Sequence, residues 1–295
     1  MNIKKILLSA AALLSAAGVL ISSMLGSQKP TDDIPTANPV DSSLEVHFID
    51  VGQGDSTLIL CGDEAMLIDA GDNDKGTLVQ DYLTAQGVKS LKYMIGTHPD
   101  ADHIGGMDVV LYKFDCETII MPDEEKDTAT YRDVIDVMKN KRYTNTLPEV
   151  GATYTFGDAE FTILSPAHGY DNSNNNSVVI LLTHGENRFL FSGDAQEPAE
   201  EDILKCGISL KADVYKAGHH GSSTSSSEDF LNAVSPTYAV ISCGEDNSYG
   251  HPHAEVLNSF RMTGVKVFRT DEQGSILAKS DGKTITWNCS PTESW

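Results

Sequence analysis

From residue 44 onward, apolar positions recur with a period of two in some stretches and of about 3.6 in others, and each switch marks an element boundary. LEVHFID (44–50), TLILC (57–61) and AMLIDAG (65–71) predict short strands, the last two joined by the turn CGDE, and such neighbours predict an antiparallel start to a sheet. KGTLVQDYLTAQG (75–87) predicts an amphipathic helix ending at Gly87. LKYMIG (91–96) predicts a buried strand, IGGMDVVLYKF (104–114) a helix, ETIIMP (117–122) a strand and TATYRDVIDVMKNK (128–141) a helix. The second half follows the same order. ATYTF with AEFTILSP, and SVVILL with RFLFSGD across the turn HGEN, predict two hairpins. Helices AQEPAEEDILKCG (195–207), SSEDFLNAV (226–234) and HAEVLNSFRMTG (253–264) then alternate with strands ADVYKAG (212–218) and TYAVISCG (237–244), and KVFRT, GSILAKS and KTITWNC finish as strands. Two halves that each run strands first and alternation second predict an α/β, pseudo-duplicated sandwich with helices on both outer faces.

Ahead of this region the pattern is different. Lys4 and Lys5 precede the apolar run ILLSAAALLSAAGVLISSMLG, so residues 1–26 predict an export signal or an N-terminal membrane anchor. Residues 27–43, rich in Pro, Ser, Thr and Asp, predict a linker, leaving 44–295 as the folded domain. That domain is expected to be secreted or held on the outer face of the cytoplasmic membrane, touching it only through the N-terminal segment and needing no obligate protein partner. Net charge changes the picture: 21 basic against 43 acidic residues leave −22, a surface that repels polyanions at long range and argues against broad, sequence-independent DNA binding. The five cysteines show no paired spacing, so a zinc ribbon is not expected, and most are read as small core residues.

The chemistry concentrates in THPDADHIGG (97–106), where His98, Asp100, Asp102 and His103 fall within six positions at the end of a buried strand. Imidazoles and carboxylates so close together repel and desolvate one another unless a cation sits among them, and they suit a divalent metal. Other ligand-type residues recur at strand ends: Asp194 in FSGD, His219 and His220 in AGHHGS, and His251 in YGHP. Neighbouring strands bring such ends to one rim. The number of ligands exceeds what one ion needs and favours two, with Asp194 as the natural bridge. A water acidified between two cations to a pKa of about 7 removes the need for a nucleophilic side chain.

These motifs resemble the metallo-β-lactamase superfamily, whose core motif is HxHxDH. More narrowly, HFIDVGQGDS, THPDADHIGG, NNNSVV, FSGD, AGHHGS and YGHP are similar to the extracellular hydrolase domain of ComEC competence proteins, over roughly residues 44–289. The resemblance implies an αββα sandwich of two mixed sheets. It implies that His98 and Asp100 hold a first metal, that Asp102, His103 and His219 hold a second, and that Asp194 bridges. Asp69 would orient the ligand loop without binding metal. Asp100 replaces the motif's second histidine, and the third-histidine position falls in the run Asn172–Asn176, with His168 expected in a loop. Oxygen in place of imidazole shifts the expected cofactors, two divalent ions, towards manganese as well as zinc. By offset from its strand His219 is the better ligand, leaving His220 and His251, with Asp102, as the catalytic candidates. Gln53, Asp55, Ser222 and Asn247 are candidates for contact with substrate. With no further apolar span, the chain is expected to be a free-standing or singly anchored version of the ComEC domain.

The expected activity is therefore an exported metal-dependent hydrolase, a phosphodiesterase or nuclease acting on extracellular DNA. The alternatives are hydrolysis of a nucleotide, a cell-wall phosphodiester, a lactam or an ester, or a non-catalytic module with a degenerate site.

Overall fold

The computed structural model describes residues 43–294; the predicted targeting segment 1–26 and the linker up to residue 42 lie outside them. Strands β1 (Leu44–Phe48), β2 (Thr57–Cys61) and β3 (Glu64–Ile68) lead to helix α1 (Gly76–Ala85) and strand β4 (Ser90–Ile95). Two helices, α2 (Ala101–Ile104) and α3 (Met107–Lys113), precede β5 (Asp115–Ile120), α4 (Ala129–Lys141) and the two-residue β6 (Asn145–Thr146). The second half carries β7 (Thr153–Phe156), β8 (Ala159–Ser165), β9 (Val179–His184), β10 (Asn187–Phe191), α5 (Glu197–Lys205), β11 (Val214–Lys216), α6 (Glu228–Val234), β12 (Tyr238–Ile241), α7 (Ala254–Thr263), β13 (Lys266–Arg269) and α8 (Thr270–Gln273). Strands β14 (Ile276–Ser280) and β15 (Ile285–Trp287) close the domain.

Two mixed sheets result, ordered β15-β14-β1-β2-β3-β4-β5-β6 and β13-β12-β11-β10-β9-β8-β7. In each half the strands pair antiparallel until a helix intervenes and parallel afterwards, with the change at β3–β4 in one sheet and β10–β11 in the other. The duplicated order read from the sequence is thus present. The last two strands depart from it: they return to the first sheet, β14 pairing antiparallel with β1.

Period-two alternation explains the layering. Leu44, Val46 and Phe48 on β1 and Phe189 and Phe191 on β10 point between the sheets. Leu58 and Leu67 face α1, α3 and α4 on one outer side, and Leu181 and Leu190 face α5, α6 and α7 on the other. Two of the helices begin at side-chain caps. The Thr128 side chain accepts from the Tyr131 N–H at α4, and that of Ser227 accepts from the Phe230 N–H at α6.

The stretch expected as one helix over 104–114 is two, separated at Gly105-Gly106, and the glycines are not there for a turn of positive φ. A Cβ at Gly105 would lie 2.3 Å from the Asn73 nitrogen, and one at Gly106 would lie 2.4 Å from the Ala70 oxygen. Only a residue without a side chain lets this corner press against the β3–α1 connection. Among the described residues no helix is long and apolar enough to cross a membrane.

Candidate metal centre

The carboxyl ends of β1, β3, β4, β10, β11 and β12 share one rim, and each delivers part of the site. Beyond β4, Thr97 and His98 precede α2, which carries Asp102 and His103. The loop after β1 is clamped onto this segment: the Asp55 N–H donates to the Asp102 carbonyl at 3.0 Å. Gly54, at φ +139°, makes the clamp possible, since a Cβ there would meet the Asp102 oxygen at 2.4 Å.

Asp69, at the end of β3, is fully buried in a left-handed conformation, φ +58°. Its Oδ1 accepts from the Thr97 N–H at 2.8 Å. Its Oδ2 accepts from the Thr97 hydroxyl at 2.8 Å and lies 2.8 Å from His103 Nδ1. That carboxylate fixes the proton of His103 on Nδ1 and turns Nε2 inward. On the opposite wall, His220 Nδ1 donates to the Ser242 carbonyl at 3.0 Å, which frees its Nε2 in the same way. His98 Nδ1 lies 3.2 Å from the Thr97 hydroxyl and 3.4 Å from that of Ser177.

Three imidazole Nε2 atoms, of His98, His103 and His220, therefore point inward, and all three are buried without a hydrogen-bond partner, as is Asp194 Oδ1. Buried polar atoms are otherwise almost always paired, so a cluster of orphans is a site built for something that completes it. Asp194 stands in the middle. Its Oδ1 lies 3.2 Å from His103 Nε2 and 3.6 Å from His220 Nε2, and its Oδ2 lies 4.0 Å from His98 Nε2 and 3.6 Å from His219 Nε2. His220 Nε2 is 3.3 Å from Asp102 Oδ2. The sets His98–His103–Asp194 and Asp102–His103–His220 each have mutually close ligand atoms. One carboxylate thus faces two ligand clusters with its two oxygens, as a bridging group must.

The electrostatics say that this cage demands positive charge. Burial alone would lower the pKa of His103 and His220, but Asp194 reverses it, with Asp69 for His103 and Asp55 for His220. His103 ends well above the ordinary histidine value and His220 at about 10. Burial would raise Asp194, but His103 and His220 hold it well below the carboxylate range. Asp102 behaves similarly: burial raises it, and His103 and His220 bring it to about 2. Such a cage satisfies itself with protons when alone and suits divalent cations better.

The paired histidines differ in burial. His220, ranked second by its offset from β11, is buried among Asp102, Asp194 and His103, whereas His219 is partly exposed. His219 Nε2 approaches Asp194 on the His98 side, 3.3 Å from the Asn174 amide nitrogen. Both residues have positive φ, +50° and +54°, a strain of about 1–3 kcal/mol each that is typical of functional corners. Asp100 is the outlying member: its Oδ2 is 3.9 Å from His98 Nε2, and its Oδ1 is engaged by Lys126 and lies 3.3 Å from the Ser173 hydroxyl.

The residues expected to touch substrate are placed as follows around the centre. Asp55 lies beneath His220, 5% exposed, with Oδ2 2.9 Å from the buried Lys216 ammonium. Burial would raise its pKa, but Lys216 and His220 hold it far below the carboxylate range, so it acts as a fixed anion under the site. Ser222 is buried, its hydroxyl committed to Thr224 at 3.1 Å. The Asn247 side chain ties the turn around it, donating to the Gly244 and His251 carbonyls and accepting from the His251 N–H. Gln53 Oε1 accepts from the Gly244 N–H at 3.2 Å. Burial and the neighbouring His220 and His219 bring His251 down to about 4, leaving it neutral near pH 7. His168 is exposed and pairs with Asp202 at 3.1 Å, away from the centre. The sequence argument missed Lys216, Ser177, Thr97 and Lys126. The only signal for Lys216 was a lone cation inside the apolar strand that delivers AGHHGS.

Residues 49–245 match the family described as the metallo-beta-lactamase superfamily. ComE operon protein 3 of Bacillus subtilis (strain 168) is 30% identical over 283 residues, covering 85% of this chain and 35% of that protein. Competence protein ComA of Neisseria gonorrhoeae is 32% identical over 245 residues, 82% of this chain and 33% of that protein. The chain thus spans about a third of the length of these curated relatives. The crystal structure of the metallo-beta-lactamase fold protein YhfI from Bacillus subtilis, 13% identical, superposes with a TM-score of 0.52 over 81% of this chain and 100% of that one. With the family's pattern matched over residues 49–245, two thirds of its length, the chain belongs to the metallo-beta-lactamase superfamily.

Proposed function

We propose that the protein is an exported, metal-dependent phosphodiesterase whose substrate is DNA outside the cell. The observation that carries this reading is the ring of inward, unpartnered Nε2 atoms of His98, His103 and His220 around the two-faced carboxylate of Asp194. The residues fit two divalent cations. Asp102, His103, His220 and Asp194 would hold one, and His98, Asp100, His219 and Asp194 the other; each set offers two imidazoles and two carboxylates, whose oxygen donors suit manganese as well as zinc. When bound, such a pair supplies an activated water and neutralises the charge that develops on a phosphodiester.

The chain's own groups do the rest. Asp69 and the Ser242 carbonyl hold His103 and His220 in the tautomer that presents Nε2. Lys216 and Asp55 form a rigid buried pair beneath His220. The His251 ring stacks on His220 beside the centre, where hydrogen bonding to the diester or proton transfer to the leaving group suits it. The resemblance of the motifs to the ComEC hydrolase domain, alongside competence-protein relatives, supports DNA as the polymer, and the Lys4–Lys5 apolar pattern supports action outside the cell.

The test is to load the purified protein with Mn²⁺ or Zn²⁺ and assay single-stranded DNA, duplex DNA and bis-p-nitrophenyl phosphate beside Asp102→Ala. Metal uptake with DNA cleavage that Asp102→Ala abolishes is the expected result. Cleavage of the small diester without DNA would remove the nuclease reading, and failure to take up metal would remove the enzyme reading altogether.

A further inference from the structure

Three aromatic rings run outward from the metal centre in a column. The ring of His220, whose Nε2 faces Asp102 and Asp194, stacks on His251 at 6.1 Å between centroids and 29° between planes. His251 in turn stacks on Tyr249 at 5.6 Å and 19°. The column ends there in solvent: Tyr249 is 65% exposed, one of the few large apolar side chains left open among the described residues.

The exposure is not that of a loose loop tip. Asn247 accepts from the Tyr249 N–H at 3.2 Å and from the His251 N–H at 3.0 Å, and donates to the His251 carbonyl at 2.6 Å. His253 Nε2 lies 3.3 Å from the Tyr249 carbonyl, and the His253 ring packs edge-on against His251. The backbone under the phenol is therefore held before any ligand arrives. A rigid aromatic with an open face, aligned with the rings that lead to the metal ligands, is what a flat π-surface needs in order to extend the stack. Glu245 and Asp246 flank the same loop, so this spot repels a phosphate and favours an uncharged planar group.

Resting on the phosphodiesterase reading above, we propose that Tyr249 is a nucleobase platform: it stacks a base farther along the strand from the scissile phosphate while the diester itself sits at the His–Asp centre. A base inside a duplex is already stacked and paired, so the platform selects single-stranded or frayed nucleic acid over intact duplex. It also selects base-bearing diesters over a bare sugar–phosphate chain.

The experiment compares kcat/KM for a short oligothymidylate and for an abasic oligonucleotide of equal length, in the Mn²⁺-loaded protein, in Tyr249→Ala, in Tyr249→Phe and in Tyr112→Ala. Tyr112, 77% exposed on α3, controls for the loss of a surface tyrosine. The wild type is expected to prefer the base-bearing strand. Tyr249→Ala should shrink that ratio about 5- to 150-fold, mainly through KM, Tyr249→Phe should restore it, and Tyr112→Ala should leave it alone. Fluorescence anisotropy of a labelled oligothymidylate should show the matching loss of affinity in Tyr249→Ala. A ratio that is near one in the wild type, or that survives Tyr249→Ala, overturns the platform and leaves the phosphodiesterase standing. Cleavage of neither strand, with metal bound, overturns both.

Discussion

At the scale of single residues, the site depends on carboxylates and carbonyls that never face the open cleft. Asp69 determines which nitrogen of His103 is free and where it points, through a 2.8 Å contact between two fully buried groups. Asp69→Ala should therefore lower metal affinity about 10- to 100-fold while leaving the ligands themselves in the sequence. Isothermal titration with Mn²⁺ reads this directly, and an unchanged dissociation constant would show that His103 needs no orienting partner. Asp69 was legible in the chain only through the resemblance that its motifs bear to the superfamily. The choice between His219 and His220 was not. Both follow the same strand, and only the two successive positive-φ residues decide that the second ring turns inward and the first lies at the edge. Lys216 was hidden for a different reason. A lysine in a short strand reads as a solvated position, and its pairing with Asp55, far away in sequence, exists only once the two sheets have closed.

At the scale of elements, most strands and helices followed from periodicity, and the failures share a cause: they depend on contacts that are distant in sequence. Strands β14 and β15 look locally like the continuation of β13, yet β14 pairs with β1 and β15 with β14, and nothing in GSILAKS encodes which sheet will take it. The polar two-residue β6 is too short to show alternation. Gly105 and Gly106 were read inside a helix over 104–114, but their function is close approach. Gly105→Ala should push α2 away from the Asn73 nitrogen and destabilise the domain by about 1–3 kcal/mol, with weaker metal binding as Asp102 and His103 shift. Urea denaturation checks this, and a midpoint equal to wild type would mean the corner has room. The β14–β15 connection offers a pH prediction. The Asp281 carboxylate accepts from the Thr284 and Lys283 N–H groups and the Thr284 hydroxyl, which brings its pKa down to about 2. Because the folded value lies below the unfolded one, its stabilisation is present above about pH 3.9 and is lost as pH falls through about 2. Carboxyl ¹³C NMR should give a midpoint near 2 for Asp281, whereas a midpoint near 4 would mean the turn is not held by this side chain.

At the scale of the whole molecule, the −22 charge read from composition and the phosphodiester chemistry proposed for the site pull in opposite directions, and their balance is measurable. Proteins that bind DNA through a basic face lose affinity steeply as salt rises, because they give back the counterions released on binding. This chain has no such excess of cations, and a long DNA molecule approaching it meets net repulsion before it meets the cleft. Screening acts on that repulsion first: the Debye length falls from about 30 Å at 0.01 M salt to about 10 Å at 0.1 M, while contacts at the buried centre are much less affected. For long single-stranded DNA, kcat/KM should therefore rise as monovalent salt increases from about 0.01 to about 0.1 M. For a diester as small as bis-p-nitrophenyl phosphate, which carries one charge and feels little of the field, it should change much less. Steady-state kinetics at fixed Mn²⁺ across that range gives the answer. A steep fall for DNA would mean that a basic track, not the acidic surface, governs the encounter, and the charge argument drawn from composition would then fail.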